Sequence, residues 1–245
     1  METGAERITP FLVEGAAARP VGSDIWSMLP PSSPGQPYDR KAAVYDALIG
    51  SAWYNRFIWG ADHRSYAGFA RQALGSAAGR HLDAGCGSLV GTALAYVESA
   101  QSGSARPCLF VDASLGMLRR ARARLGTLPP AAGLLQADLR TIPLRFEAID
   151  TVLCMGMLHL FDEETAAGIL ARLRNSLVPR GALYLTSLIL GRPRGDRFLD
   201  LLQRAGEIGV PRTREGALAI MRQAGFDIGE ARQTGNMLFV VAARR

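Results

Sequence analysis

His81-Leu82-Asp83-Ala84-Gly85-Cys86-Gly87-Ser88 decides how the rest of this 245-residue chain is read. A short apolar run suited to a buried strand ends on an acid and passes at once into two glycines. Such residues let the backbone bend sharply and approach a ligand closely. The helix expected next, Thr92–Ser99, turns free amides toward that bend, as nucleotide-binding folds do. A dinucleotide fingerprint needs a third glycine at position 90, and the chain has Val90 there.

Outward from this loop the pattern repeats. Strands are expected at Arg80–Asp83, Cys108–Asp112, Gly133–Gln136, Ala148–Cys154 and Ala182–Leu188, with helices near Leu115–Leu125 and Glu163–Ser176 between them. Alternation of this kind folds into a parallel sheet flanked by helices. A last helix over Arg214–Ala224 precedes two closing strands, Phe226–Ala231 and Met237–Ala242, joined by the turn residues Thr234-Gly235-Asn236. The fold expected is therefore α/β: a Rossmann-like seven-stranded sheet with helices on both faces. To it are added an N-terminal helical lid and a small insertion after strand five. Residues 1–37, carrying Pro20, Pro30, Pro31, Pro34 and Pro37, read as an extended, flexible leader. Residues 38–75 read as the lid, and 76–245 as the main domain with its insertion at 191–211.

Three acids fall at successive strand ends: Asp83, Asp112 and Asp138. Ligands of open α/β sheets bind beyond the carboxyl ends of the strands, where an acid can accept both hydroxyls of a ribose and another can accept from an adenine amino group. One such aspartate is an ordinary surface residue; three in register with a glycine loop point to a nucleoside ligand.

Together these segments resemble the class I S-adenosylmethionine-dependent methyltransferases of small-molecule type, over roughly residues 38–245. Asp83-Ala84-Gly85-Cys86-Gly87 is similar to that family's first motif, and the resemblance implies that Asp83, Gly85, Cys86 and Gly87 hold the methionyl part of the cofactor. Asp112, with Ala113, Ser114 and Met117, is similar to the segment that grips the ribose and flanks the adenine. Asp138 and Leu139 match the adenine-contacting pair, and Met155 ends a segment similar to the fourth strand. Leu177-Val178-Pro179-Arg180-Gly181 is similar to the family's L-x-P-G-G turn, with Arg180 in place of its first glycine. Leu89 stands where the family often has a further glycine. The lid resembles the helices that cover the cofactor, which brings Tyr45 and Trp59 in as candidates. Packing of the lid onto the core is the plainer reading of both aromatics.

The resemblance implies S-adenosyl-L-methionine as cofactor, S-adenosyl-L-homocysteine as product, and methyl transfer to oxygen, nitrogen or carbon of a small-molecule acceptor. His159, just beyond strand four, is the candidate catalytic base, set against a reading as a backbone-bonded histidine; His63 is a weaker candidate. Rival readings are a non-methylating enzyme such as a cyclase, a binding module without catalysis, and a nicotinamide-dependent dehydrogenase.

The net charge of +6 invites a nucleic-acid reading, yet the cations are scattered arginines without interleaved aromatic residues. Arg119, Arg120, Arg122 and Arg124 read as a solvated helix face, and Arg192, Arg194 and Arg197 as either a solvated loop or an anion-recognising group. No nucleic-acid partner and no metal are expected. Cys86, Cys108 and Cys154 read as separate reduced thiols, and with no apolar run of membrane-spanning length a cytoplasmic monomer or homodimer is expected.

Overall fold

Every strand read from the main domain exists, and the β-branched and leucine-rich runs are buried on both sides, as a parallel sheet covered by helices requires. The computed structural model describes residues 4–22, 24–31, 46–62, 64–76, 78–103, 106–127 and 131–245. The strands are β1 (Arg19–Gly22), β2 (Ile25–Ser27), β3 (His81–Ala84), β4 (Cys108–Asp112), β5 (Ala132–Gln136), β6 (Ile149–Met155), β7 (Leu177–Leu188), β8 (Phe226–Thr234) and β9 (Met237–Arg244). They form one sheet in the order β1-β2-β5-β4-β3-β6-β7-β9-β8. β2 and β5 through β7 run parallel, and β1, β9 and β8 pair antiparallel to their neighbours.

The helices are α1 (Ala52–Tyr54), continued by a π-helical turn over Asn55–Trp59, then α2 (Arg64–Ser76), α3 (Ala93–Gln101), α4 (Leu115–Leu125), α5 (Glu163–Ser176), α6 (Pro193–Arg204) and α7 (Arg214–Gln223). One face of the sheet buries Leu82, Leu109, Val111, Val152 and Leu183 beneath α5 and α7. The other buries Phe110, Leu134, Leu153 and Phe239 beneath α2, α3 and α4, through Phe69, Tyr96 and Leu118. Local chemistry starts each helix where it does. Ser114, Asp162 and Thr213 cap α4, α5 and α7 by accepting from Met117 N, Thr165 N and Gly216 N.

The sheet has nine strands where seven were expected. The extra pair comes from the proline-rich stretch read as an extended leader. Ile25, Trp26 and Ser27 pair in parallel with Leu134, Leu135 and Gln136, and Arg19 and Pro20 turn back onto β2 as the edge strand. Pro20 is tolerated because an edge strand leaves one row of amides unpaired. Before this hairpin, Ile8, Phe11 and Leu12 are buried in the α5/α7 face. Proline removes donors but does not prevent burial, and three well-placed apolar residues outweigh it.

Arg180 lies at φ +64° inside the turn that interrupts the β6–β7 ladder, where Leu177 pairs with Ile149 and Ala182 with Thr151. The left-handed region costs a side-chain-bearing residue about 1–2 kcal/mol, which explains the glycine expected there. Arg180→Gly relieves that strain and gives back several tenths through the freer unfolded chain. A net gain of about 0.5 kcal/mol, read from the urea midpoint, is expected; a lower midpoint would count against the strain argument. Leu89 shows the same departure at φ +58°, compensated by a side chain buried to 2%.

Candidate functional site

The strand order reverses between β3 and β6, because the chain runs outward from β3 to β4 and β5 before returning to β6 and β7. That crevice, at the carboxyl ends of the parallel strands, is where an open α/β sheet holds its ligand. Asp83, Gly85, Cys86, Gly87, Asp112 and Met155 all end strands there or follow directly.

The loop is built on β4. Gly85 N and Cys86 N both donate to Val111 O, at 2.8 and 2.9 Å. Gly87 N donates to Asp112 Oδ2 at 2.9 Å, and Ser114 N donates to Asp112 Oδ1 at 2.8 Å. Gly85 and Gly87 sit at φ +75° and +55°, so the bend needs glycine at both positions. Asp112 thus ties two turns together, and its carboxylate keeps lone pairs for further donors.

Asp83 is only 2% exposed. Tyr96 Oη donates to its Oδ2 at 2.6 Å, and His81 Nε2 lies 3.1 Å from the same hydroxyl. Burial pushes the Asp83 carboxyl up to about 7; the Tyr96 bond opposes this and the Asp112 charge adds to it. Burial, helped by the Arg106 charge, holds His81 down near 3, so it stays neutral. Tyr96, on α3, is absent from any motif; only the spacing of an aromatic one turn into the helix after the glycine loop hints at it.

The remaining candidates divide. Asp138 follows β5 and is held by Arg140 through Nε and Nη2, at 2.6–3.0 Å. Burial pushes its carboxyl up, but the Arg140 bonds and charge outweigh that and leave it below the ordinary carboxylate value. Ala113 O accepts from Gln136 Nε2 at 3.1 Å, and Ser114 caps α4. Met117 and Leu139 are core residues, 3% and 5% exposed. Trp59, 2% exposed, packs edge-on to Phe198 of α6 at 5.5 Å and to Tyr54 at 6.1 Å, which places it in the lid–α6 junction. Tyr45 and His63 lie outside the described residues.

His159 sits in a 3-10 turn, Leu158–Leu160, and its Nδ1 accepts from Leu188 N at 3.3 Å. A ring nitrogen that accepts from an amide carries no proton, so the neutral ring is protonated at Nε2. Burial, with the Arg212 charge added, lowers its pKa to about 4. The ring is therefore a hydrogen-bond donor at neutral pH. The general-base role expected from its position would need Nε2 bare.

Met157 is a neighbour that the motifs do not announce: a Cβ on Gly85 would meet its Cγ and Sδ at 2.5 Å. Behind the loop, Gly50 of the lid packs on the Val90 side chain, 3.3 Å from an added Cβ, and Tyr66 of α2 covers Gly91.

The arginines read as a solvated face on α4 are largely structural. Arg120 and Arg124 reach Asp46 at 3.2 and 2.7 Å, Ser88 Oγ donates to the same carboxylate, and Arg124 also donates to Ser88 O. Arg122 pairs with Asp24 in the β1–β2 turn at 3.1 Å. Spacing along one helix cannot reveal acids lying 74 and 98 residues away. Asp46→Ala is expected to cost about 1–2 kcal/mol of stability, and the half-exposed arginines rehydrate. Faster trypsin cleavage in the lid would report the release, and an unchanged digestion pattern would refute it.

Comparison with known proteins agrees with this geometry. Residues 82–181 match the model of a methyltransferase domain family. The cyclase SpnF superposes with a TM-score of 0.66 at 16% identity, over 86% of this chain and 94% of that one. Geranyl diphosphate C-methyltransferase from Streptomyces coelicolor A3(2), solved with S-adenosyl-L-homocysteine, gives 0.60 at 13% identity, over 87% and 100%. The putative methyltransferase in a complex with the Trm112 activator of Haloferax volcanii gives 0.62 at 16%, over 86% and 99%. No curated protein matches the chain in sequence. The chain has the α/β architecture of class I methyltransferases. The family model covers residues 82–181 of the 245, and these solved structures, at 13–16% identity, agree with the chain in fold.

Proposed function

We propose that this protein transfers a methyl group from S-adenosylmethionine to a small-molecule acceptor, releasing S-adenosylhomocysteine. One observation carries the reading: the Gly85–Gly87 bend, the buried Asp83 carboxylate and Asp112 meet at the carboxyl edge beside the switch point. In this reading Asp83 accepts from the ammonium of the methionyl group, with Gly85, Cys86 and Gly87 lying along it. Asp112 accepts from the ribose hydroxyls, and Asp138 and Leu139 border the adenine. The cofactor supplies an already activated methyl on its sulfonium, so the chain's task is to position the acceptor and exclude water. Met155 and Met157 wall the reacting centre, and the lid, residues 38–75, closes over the 76–245 domain.

His159 orients the acceptor by donating from Nε2. Because it does not titrate above about pH 4, His159→Gln is expected to raise KM roughly tenfold and leave the shape of the pH–kcat profile between pH 5 and 9 unchanged. Disappearance of an acid limb in the variant would instead mark a general base. The proposal also places the chain in the cytoplasm as a monomer or homodimer; no helix among the described residues is long and apolar enough to cross a membrane. Incubation of a metabolite extract with methyl-deuterated cofactor tests the transfer. A labelled metabolite supports it, and a product formed without label overturns it in favour of a non-methylating reaction.

A further inference from the structure

The lid turn carries aromatic residues on both of its sides, and only one side is buried. Asn55 and Trp59 face inward at 0% and 2% exposure. Asn55 Nδ2 donates to Ile49 O and Ser51 O at 2.7 and 2.9 Å, and Tyr66 Oη donates to Asn55 Oδ1 at 3.1 Å, so this side is firmly held. Trp53 and Phe57, also four residues apart, stay exposed at 67% and 41%, stacked on each other at 4.6 Å. An exposed pair of stacked aromatic rings is an apolar patch of the kind that marks an interaction surface.

One cation covers the outward pair, and two more lie close by along the chain. The Arg194 guanidinium lies 3.8 Å from the Phe57 ring centroid. Arg197 follows one turn along α6, and Arg56 neighbours Phe57 in the chain. Among the described residues no ion pair joins any of the three to a carboxylate, although most arginines on α4 have one. Arginines of this kind beside an exposed tryptophan and phenylalanine, on a chain of net charge +6, match an anionic bilayer surface. There the indole settles at headgroup level and each cation adds about 1 kcal/mol.

We propose that the Trp53–Phe57–Arg194 face docks the protein reversibly onto anionic lipid surfaces. The two rings enter the headgroup layer, while Arg56, Arg194 and Arg197 meet lipid phosphates. A short helical segment held rigidly from behind suits insertion into a fluid interface.

Co-sedimentation of the full chain with phosphatidylcholine vesicles, with and without phosphatidylglycerol, tests this. The chain is expected to partition onto the phosphatidylglycerol vesicles with a blue-shifted tryptophan emission, and to be released by high salt. Trp53→Ser/Phe57→Ser is expected to weaken partitioning at least tenfold, and Arg194→Gln/Arg197→Gln roughly fivefold per arginine on anionic vesicles only. The thermal midpoint and cofactor affinity should stay unchanged in both variants, which separates this surface from the catalytic reading. Absence of partitioning at low salt overturns the proposal, as does partitioning indifferent to Trp53 and Phe57. Capture of the same face by an acidic soluble protein without any vesicle binding overturns it as well.

Discussion

Asp83→Asn is expected to make the protein more resistant to heat and nearly unable to hold its cofactor. The Asp83 carboxyl titrates at about 7 in the folded chain and 3.8 in the unfolded one, because burial disfavours its charge. Between those values the folded state holds a proton that the unfolded state releases, so stability falls as pH rises through the window. Above pH 7 the buried charge costs on the order of 4 kcal/mol. Asparagine keeps an acceptor for the Tyr96 hydroxyl and removes the charge. The variant should melt on the order of 8–16 °C higher at pH 8 and close to wild type at pH 4. On the proposed role it should bind S-adenosylmethionine on the order of 100-fold more weakly, since a charge-assisted bond to the ammonium is lost. For the wild type, affinity should fall about tenfold per pH unit below 7, as the carboxyl must first lose its proton. Calorimetric titration and melting across pH read both effects. A melting gain that does not grow with pH would show that Asp83 is not the strained charge.

Asn236→Ala should have the largest purely structural effect. This residue is wholly buried in the turn between β8 and β9, where Gly235 at φ +60° lets the chain reverse. Asn236 Nδ2 donates to Ile189 O at 2.9 Å and to Asp196 Oδ1 at 2.7 Å, and its Oδ1 accepts from Arg192 N at 3.2 Å. Asn236 N donates to Trp59 O at 2.8 Å. One amide side chain therefore fastens α6 to the end of β7, while the backbone of the same residue fastens the lid. Alanine removes the partners of Ile189 O, which is buried, and of Arg192 N, which is part-buried, a loss of about 2–4 kcal/mol. A drop of roughly 5–15 °C in the melting midpoint is expected, with new chymotrypsin cleavage near Phe198 as α6 loosens. Asn236→Asp, which puts a second carboxylate against Asp196, should be no better. A change below about 1 kcal/mol would show that the network is dispensable.

The contrast between these two residues explains what was legible beforehand. Asp83 is visible because a strand ending in an acid before two glycines has a local geometric purpose. Leu115–Leu125 and Glu163–Ser176 were likewise readable to the residue, since Ser114 and Asp162 cap them. Asn236 reads only as a turn former, since its partners lie 40 to 47 residues away. A greater distance, 74 and 78 residues, hid the pairing of Asp46 with Arg120 and Arg124. Composition likewise misdirected the reading of residues 1–37. Prolines there suggested an extended leader, while Ile8, Phe11 and Ile25 found core surface and β2 found an open edge beside β5.

By itself the sequence determined the alternating architecture, the glycine loop and the acids at strand ends, because periodicity, capping and turn chemistry act over a few residues. Tertiary structure alone decided which groups those acids meet. It gave Asp83 a tyrosine and a raised pKa, gave His159 a proton on Nε2, and packed Trp59 against Phe198. Burial and long-range hydrogen bonds set charge and tautomer, and both arise only when distant segments come together.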